Sequence, residues 1–254
     1  MKNTSQAHIT LIRKLKQRKH RTHEGKFLIE GQRAIDQVLE NGILDVESIH
    51  INASKLDHFK GANEKLHLVD PGTFKSLSDT ETPQGILAIC RMPEPKSIEE
   101  IANGSGIIIA CDAIQDPGNM GTIIRSGVWY GASALLLGTG SVDIYNPKVV
   151  RSTAGATGII PSTLCDLGEA LEYLQEHGWE IYLLDGNEGA ISILDQPINS
   201  KTVLVVGNEA NGISSDLKNK NFKRVLLPTK SPQMYVESLN AGVAMSIALA
   251  IVNK

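Results

Sequence analysis

Two rhythms of apolar and polar residues divide the chain. Up to about residue 92 the apolar runs are short and mixed in period. Ile9, Leu11, Ile12 and Leu15 recur at a loosely helical spacing within residues 9–20, and Ala34, Ile35, Val38 and Leu39 line one side of a helix expected over 30–41 that Asn41-Gly42 should stop. Residues 27–29, 46–51, 66–69 and 85–90 read as short strands and 71–77 as a small helix. Together they predict an α+β unit, and the sequence MPEPK at 92–96 is the punctuation that follows it.

From residue 106 the rhythm changes. Residues 106–112, 134–137, 181–184, 203–206 and 225–227 are continuous apolar runs of strand length, alternating with helical patterns at 121–130, 167–177 and 239–252. Uniformly apolar strands separated by helices predict an α/β domain, its parallel sheet covered on both faces. In such sheets ligands bind beyond the carboxyl ends of the strands, so the strand tails are where chemistry is expected. After the first strand, Pro117-Gly118 forces a tight turn, Asn119 or Thr122 can start the next helix, and Arg125 lies on its early turns. After the fourth, the glycines of Gly207-Asn208-Glu209-Ala210-Asn211-Gly212 permit close backbone approach beside a carboxylate. After the fifth, Leu227-Pro228 leads into Val236-Glu237-Ser238-Leu239-Asn240 and a run of small apolar residues. Ser238 is the expected cap of that last helix, which leaves Asn240 in a first turn where an apolar residue would serve better. Taken singly, each tail also reads as an ordinary turn or capped helix.

Charge adds a second theme. The formal net charge is -3, yet residues 1–96 carry 15 Lys and Arg against 12 Asp and Glu, and the remainder 10 against 16. Arg13, Lys14, Lys16, Arg18, Lys19, Arg21 and Lys26 fall within fourteen residues that hold one acid, Glu24, a density that suits a polyanion. His20 and His23 in that segment are expected to face RNA or solvent. The three cysteines, Cys90, Cys111 and Cys165, lack disulfide or zinc spacing and are expected as small core residues, with no metal site. No window approaches the roughly 18 apolar residues of a membrane span, and no apolar leader stands at the N-terminus, so a cytoplasmic protein is expected. The absence of GxGxxG after the first apolar strand, and of GxxxxGK[ST] anywhere, disfavours dinucleotide and P-loop chemistry.

Three motifs in this order, DPGNMGTIIRSG, LVVGNEANGIS and LPTKSPQMYVESLNAGVAMSIAL, resemble those of the SpoU (TrmH) family of RNA ribose 2′-O-methyltransferases in the SPOUT superfamily. KLKQRKHRTHEGKFLIEGQRAI is similar to the start of the L30e-like substrate-binding domain that precedes the catalytic domain in many members. The resemblance implies an RNA-binding domain over 1–92, a linker over 93–104 and a catalytic domain over 105–254 whose C-terminal segment forms a deep trefoil knot. It further implies S-adenosylmethionine as methyl donor, lined by Gly207, Leu227 and Leu239, and a homodimer whose two subunits build each site. Asn119, Arg125, Glu209, Ser238 and Asn240 match the family's polar site residues. The family's usual assignment makes Arg125 the general base. A guanidinium is essentially never deprotonated in proteins, so Arg125 is expected instead to fix a substrate phosphate and stabilise the developing alkoxide. Asn119 and Asn240 are expected to orient the ribose and Arg125, Ser238 to bind the same cluster, and Glu209 to hold the loops or the hydroxyl. The implied substrate is ribosomal RNA, with transfer RNA the alternative within the class and a non-catalytic ribosome-assembly factor the alternative outside it. The loop TKSPQMY between Pro228 and Val236 is longer than in many relatives, which bears on how the donor is cradled.

Overall fold

The computed structural model describes residues 2–58, 65–186, 189–229 and 238–253. Contacts divide the chain into two units, Met1–Pro93 with Asp143–Ile159, and Glu94–Val142 with Ile160–Lys254.

In the first unit the elements run β1 (Lys2–Asn3), α1 (Gln6–Leu15), α2 (Arg18–Glu24), β2 (Lys26–Glu30), α3 (Gln32–Asn41), β3 (Val46–Asn52), β4 (Leu66–Val69), α4 (Pro71–Leu77) and β5 (Ile86–Arg91). The strands form a mixed sheet in the order β1-β4-β3-β5-β2, with β5 antiparallel to both its neighbours. The helix expected over 9–20 is two helices. Ile12 and Leu15 are buried, but the next helical positions are charged, so no apolar face remains to carry the helix on. Gln17 turns extended, and Arg21 Nη1 donates to the Leu15 and Lys16 carbonyls at 2.9 Å each, taking up groups that the helix end leaves open. Similarly, α3 starts at Gln32 and not at Glu30, because Gly31 adopts φ 108 and Glu30 stays paired in β2.

Residues 143–159 belong to this unit's core. Asp143 Oδ2 accepts from Arg21 Nη2 at 2.5 Å and from Nε at 3.2 Å, Tyr145 lies against Phe27 with ring centroids 4.7 Å apart, and Val150 joins the cluster of Phe27, Ile29, Ile35 and Val38. Arg21 is only 2% exposed. It is an internal strut, which corrects its expected place on an RNA-facing surface.

Three imidazoles meet beside β1. His50 on β3 is fully buried, with Thr4 Oγ1 at 3.0 Å from Nδ1 and Ser48 Oγ at 2.9 Å from Nε2, while the rings of His8 and His67 stand within about 5.2 Å of it and of each other. Burial, then repulsion from His8 and His67, pushes the His50 pKa from 6.5 down to about 3. Because the folded value is depressed, this neutral histidine's contribution is complete above pH 6.5 and is lost as pH falls from 6.5 towards 3. At pH 5 the loss from His50 amounts to about 2 kcal/mol. Thermal unfolding at pH 7.5 and 5 should therefore show a drop that His50→Asn largely abolishes; an equal drop in both proteins would assign it elsewhere.

The second unit holds α5 (Ile98–Ala102), β6 (Gly106–Cys111), α6 (Pro117–Trp129) and β7 (Ala134–Leu137). The chain then contributes α7 (Pro147–Thr153) to the first unit and returns for β8 (Ser162–Leu164), α8 (Leu167–Glu176), β9 (Glu180–Leu184), β10 (Ile191–Ser192), β11 (Lys201–Val206), α9 (Ser215–Lys218), β12 (Lys223–Leu226) and α10 (Ala241–Val252). The sheet order is β10-β12-β9-β11-β6-β7-β8, and every pairing is parallel. Ile108, Ala110, Leu183, Val203 and Val205 face α8 and α9. Alternation turns Ile109 to the other face, where α6 packs so closely that a Cβ on Gly127 would stand 2.7 Å from Ile109 Cδ1. The chain leaves β6 towards β7 and leaves β11 towards β12, on opposite sides. A crevice therefore opens at the carboxyl ends of the adjacent strands β6 and β11.

Cys90 and Cys111 are fully buried and Cys165 half-buried; burial raises all three thiols, Cys90 to about 12 and Cys165 to about 11, which leaves them inert. Among the described residues no helix is long and apolar enough to cross a membrane, and no group of three His, Cys, Asp or Glu side chains can hold a metal ion.

Candidate active site

Both helices that frame the crevice start differently from the sequence expectation. Helix α6 is capped by Asp116, whose Oδ1 accepts from the Asn119 amide at 2.8 Å, and neither Asn119 nor Thr122 is its first residue. Pro117 fits the first helical position because its missing N–H has no partner to lose there. Helix α10 is capped by Asn240, not Ser238: Asn240 Oδ1 accepts from the Gly242 and Val243 amides at 3.0 and 3.2 Å. The asparagine that looked misplaced within the first turn stands one residue before it.

These two starts bring Asn119 and Asn240 together. Asn240 Nδ2 donates to Asn119 Oδ1 at 2.7 Å, and Asn119 Nδ2 donates to Glu209 Oε1 at 2.9 Å. Glu209 also accepts from the Asp116 amide at 3.2 Å and the Gln115 amide at 3.3 Å. The chain of donors fixes both amide orientations. A carboxylate only accepts, so Asn119 must turn its nitrogen to Glu209 and its oxygen to Asn240. Desolvation opposes the charge on Glu209, but the hydrogen bonds from Asn119 and from the Asp116 and Gln115 amides outweigh it and hold its pKa below the usual carboxylate range. Glu209 thus braces the strand tails through these hydrogen bonds and is a weak base.

The close approach of α6 and α10 depends on small residues. A Cβ on Gly242 would meet Thr122 Cβ at 3.0 Å and the Asn119 carbonyl at 3.3 Å, and one turn further Ser126 Oγ lies 2.6 Å from Ser246 Oγ. Gly207 plays the same part for the β11 tail, where a Cβ would stand 2.2 Å from Gly212 C and Ile213 N. The loop folds back on itself there, closed by a bridge between Asn208 and Gly212.

Arg125 is not brought to this cluster. It lies on the exposed face of α6 in line with Thr122 and Trp129, and no hydrogen bond or ion pair to it occurs among the described residues. Trp129 is 83% exposed, and Leu239 and Val243 at the start of α10 are also exposed, at 47% and 44%. Ser238 is exposed, and Leu227 is half-buried at the end of β12. Val236, Glu237 and all but Thr229 of the loop 229–235 lie outside the described residues.

Of the residues expected to line S-adenosylmethionine, Leu227 offers a half-buried and Leu239 an exposed apolar side chain, and Gly207 a backbone with no side chain, which suits the donor's adenine ring. Sequence reasoning missed Asp112, Asp116 and Asn208. Asp112 Oδ2 accepts from the Ser214 amide at 2.7 Å, and Asn208 Nδ2 donates to the Ala113 carbonyl at 2.8 Å, so both tie the first tail to the second. The Asp-Pro pair was a legible sign of the α6 cap. Nothing in the sequence announces the other two.

On the basic segment, Lys14, Arg18 and Lys19 are exposed, and Arg13 is exposed while donating to Ser76 Oγ at 3.1 Å. Lys16 is tied to Asp79 and to the Ser78 carbonyl, and Lys26 to Glu47.

Residues 106–250 match the model of the SpoU rRNA Methylase family, and residues 6–88 that of the MRM3-like substrate binding domain. The chain is similar to the 23S rRNA (guanosine(2553)-2′-O)-methyltransferase RlmP of Bacillus subtilis, 31% identical over 92% of this chain and 91% of the relative. It is also similar to the 23S rRNA (uridine(2479)-2′-O)-methyltransferase of Streptomyces viridochromogenes, 27% identical over 90% and 83%. A solved structure of a TrmH-family protein from Porphyromonas gingivalis superposes with a TM-score of 0.81 at 28% identity, over 98% of this chain and 97% of that one. The AdoMet-bound rRNA methyltransferase of Sinorhizobium meliloti shares the fold, with a TM-score of 0.81 at 23% identity over 99% and 96%. With the family model spanning more than half its length, this chain belongs to the SpoU rRNA methylase family.

Proposed function

We propose that the protein transfers a methyl group from S-adenosylmethionine to a ribose 2′-hydroxyl of ribosomal RNA. The observation that carries this reading is the Glu209–Asn119–Asn240 chain at the carboxyl ends of β6 and β11, which joins all three motifs of a family whose relatives include 23S rRNA 2′-O-methyltransferases. When bound, the donor supplies an electrophilic methyl on a sulfonium together with its own neutral leaving group. The residues of the chain have to place a hydroxyl in line and shelter the charge that develops on it. Positioning of that kind is worth on the order of 7 to 11 kcal/mol. Asn119 and Asn240, locked by Glu209, orient the ribose. Ser238 and Leu239 border the cluster, and Gly207, Leu227 and Leu239 line the donor.

Arg125 fixes a substrate phosphate and stabilises the alkoxide in the site of a second copy of the chain, while the hydroxyl proton leaves to that phosphate or to water. The exposure of Arg125, with no hydrogen bond or ion pair to it among the described residues, supports that assignment, and so do the exposed apolar side chains of Trp129, Leu239 and Val243, which gain from being covered in a homodimer. The knot expected of the superfamily, a C-terminal segment threading back through a loop, belongs to this reading. RNA is held by the first unit through Arg13, Lys14, Arg18 and Lys19. The free charges support phosphate contacts that raise affinity without reading sequence. A cytoplasmic location, alongside the ribosomes, goes with this reading.

The test is incubation with deproteinised ribosomal RNA and labelled S-adenosylmethionine, followed by mapping of 2′-O-methyl groups. The expected result is one ribose in the large-subunit RNA. Label confined to transfer RNA, or none on any RNA, overturns the reading. In the same assay Arg125→Lys should keep RNA affinity within a few-fold and lose about 10²-fold in turnover, as expected when a planar fork is replaced by a point charge. Full activity in the lysine variant would remove any need for a guanidinium.

A further inference from the structure

The braced cluster depends on a turn held from outside it. Ala113, two residues past β6, adopts φ 55, in the left-handed region that a residue with a Cβ enters only at a cost. Two and three residues later come the Gln115 and Asp116 amides that point at Glu209, and Asp116 also caps the helix carrying Asn119. The turn at Ala113 therefore aims everything downstream of it. Its carbonyl oxygen accepts from Asn208 Nδ2 at 2.8 Å, across from the tail of β11. The other end of the same amide closes its own loop, with Oδ1 accepting from the Ala210 and Asn211 amides at 3.0 and 3.1 Å. One side chain thus shapes the second tail with its oxygen and clamps the first with its nitrogen.

We propose that Asn208 is a positioning residue: its amide keeps Ala113 left-handed, and that turn sets the Gln115 and Asp116 amides on Glu209 and so the Asn119–Asn240 pair. The effect on turnover rests on the methyl-transfer reading above, whereas the clasp itself does not. A second strap, from the Ser214 amide to Asp112 Oδ2 at 2.7 Å, joins the same two tails, so loss of the Asn208 amide should loosen the turn without unfolding the unit.

The coupling is testable because glycine enters the left-handed region without a tether. Four proteins are compared with the parent: Asn208→Ala, Asn208→Asp, Ala113→Gly, and the double variant Asn208→Ala with Ala113→Gly. Asn208→Asp keeps an oxygen towards Ala210 and Asn211 and loses only the donor to Ala113, so it serves if the alanine variant folds poorly. Hydrogen exchange at the Gln115 and Asp116 amides should speed up about tenfold or more in both Asn208 variants and return towards the parent in the double variant. Turnover should fall about 10- to 100-fold in both Asn208 variants with KM for RNA nearly unchanged, and recover substantially in the double variant. Ala113→Gly alone should stay near the parent. Unchanged exchange in the Asn208 variants, or a double variant no better than Asn208→Ala, overturns the proposal. A parent that methylates no RNA removes the methyl-transfer reading, and the exchange comparison still decides the clasp.

Discussion

Asn240→Asp should lower turnover about 10²- to 10³-fold while lowering thermal stability only modestly. The two effects separate because Asn240 uses its two ends for different purposes. Its oxygen caps α10 through the Gly242 and Val243 amides, and an aspartate oxygen does that equally well, with the added attraction of a negative charge to a helix start. Its nitrogen donates to Asn119 Oδ1 at 2.7 Å, and that bond has no substitute. Asn119 cannot turn over to offer its own nitrogen, since Glu209 already holds it. The aspartate therefore sets an acceptor against an acceptor at the centre of the cluster. Asn240→Ala removes both ends and should combine the loss of turnover with about 1 kcal/mol of lost stability from the missing cap. Turnover of Asn240→Asp within about tenfold of the parent, a difference of only ~1.4 kcal/mol in the barrier, would place Asn240 outside the reacting geometry and leave it a helix cap.

Gly207→Ala should abolish measurable donor binding and lower stability by about 1 to 3 kcal/mol, the range of an overpacked core position. A new Cβ would lie 2.2 Å from both Gly212 C and Ile213 N. These are backbone atoms, so no rotamer can relieve the overlap and the loop between Asn208 and Gly212 must open. That loop carries Glu209, so the Asn119 brace goes with it. Gly212→Ala is the informative comparison. Its φ of 67 disfavours any Cβ, yet nothing stands within 4 Å of one, so its cost is limited to backbone strain of about 1 to 2 kcal/mol. Calorimetric titration with S-adenosylmethionine should show no heat for Gly207→Ala and weakened but measurable binding for Gly212→Ala. Equal binding by the two variants would mean that the close backbone approach at Gly207 does not shape the donor site.

The periods of the sequence were enough for the architecture of the second unit. Apolar runs at 106–112, 181–184 and 203–206 have nowhere to go but the middle of a covered sheet, and they form β6, β9 and β11. Element ends were less legible, because caps depend on which of several neighbouring polar side chains meets the first free amides. Asp116 displaced Asn119 and Thr122 in that role, and Asn240 displaced Ser238. At α10 the displaced cap matters beyond the helix, since Asn240, the residue at its start, is also the one that reaches Asn119 on α6.

By itself the sequence determined the parallel sheet and the strand tails that carry Asn119, Glu209 and Asn240, though not the parts played there by Asp112 and Asn208. Composition and period act locally, and burial enforces them strand by strand. Tertiary structure alone decided the pairing. Asn119 and Asn240 lie 121 positions apart, and only the packing of α6 on α10, permitted by Gly242, brings them within 2.7 Å. It likewise withdrew Arg21 from the basic surface, because an arginine in a basic run reads the same whether it faces solvent or an aspartate 122 residues away. A hydrogen bond needs its partner's position as well as its own chemistry, and position between distant segments is fixed by packing.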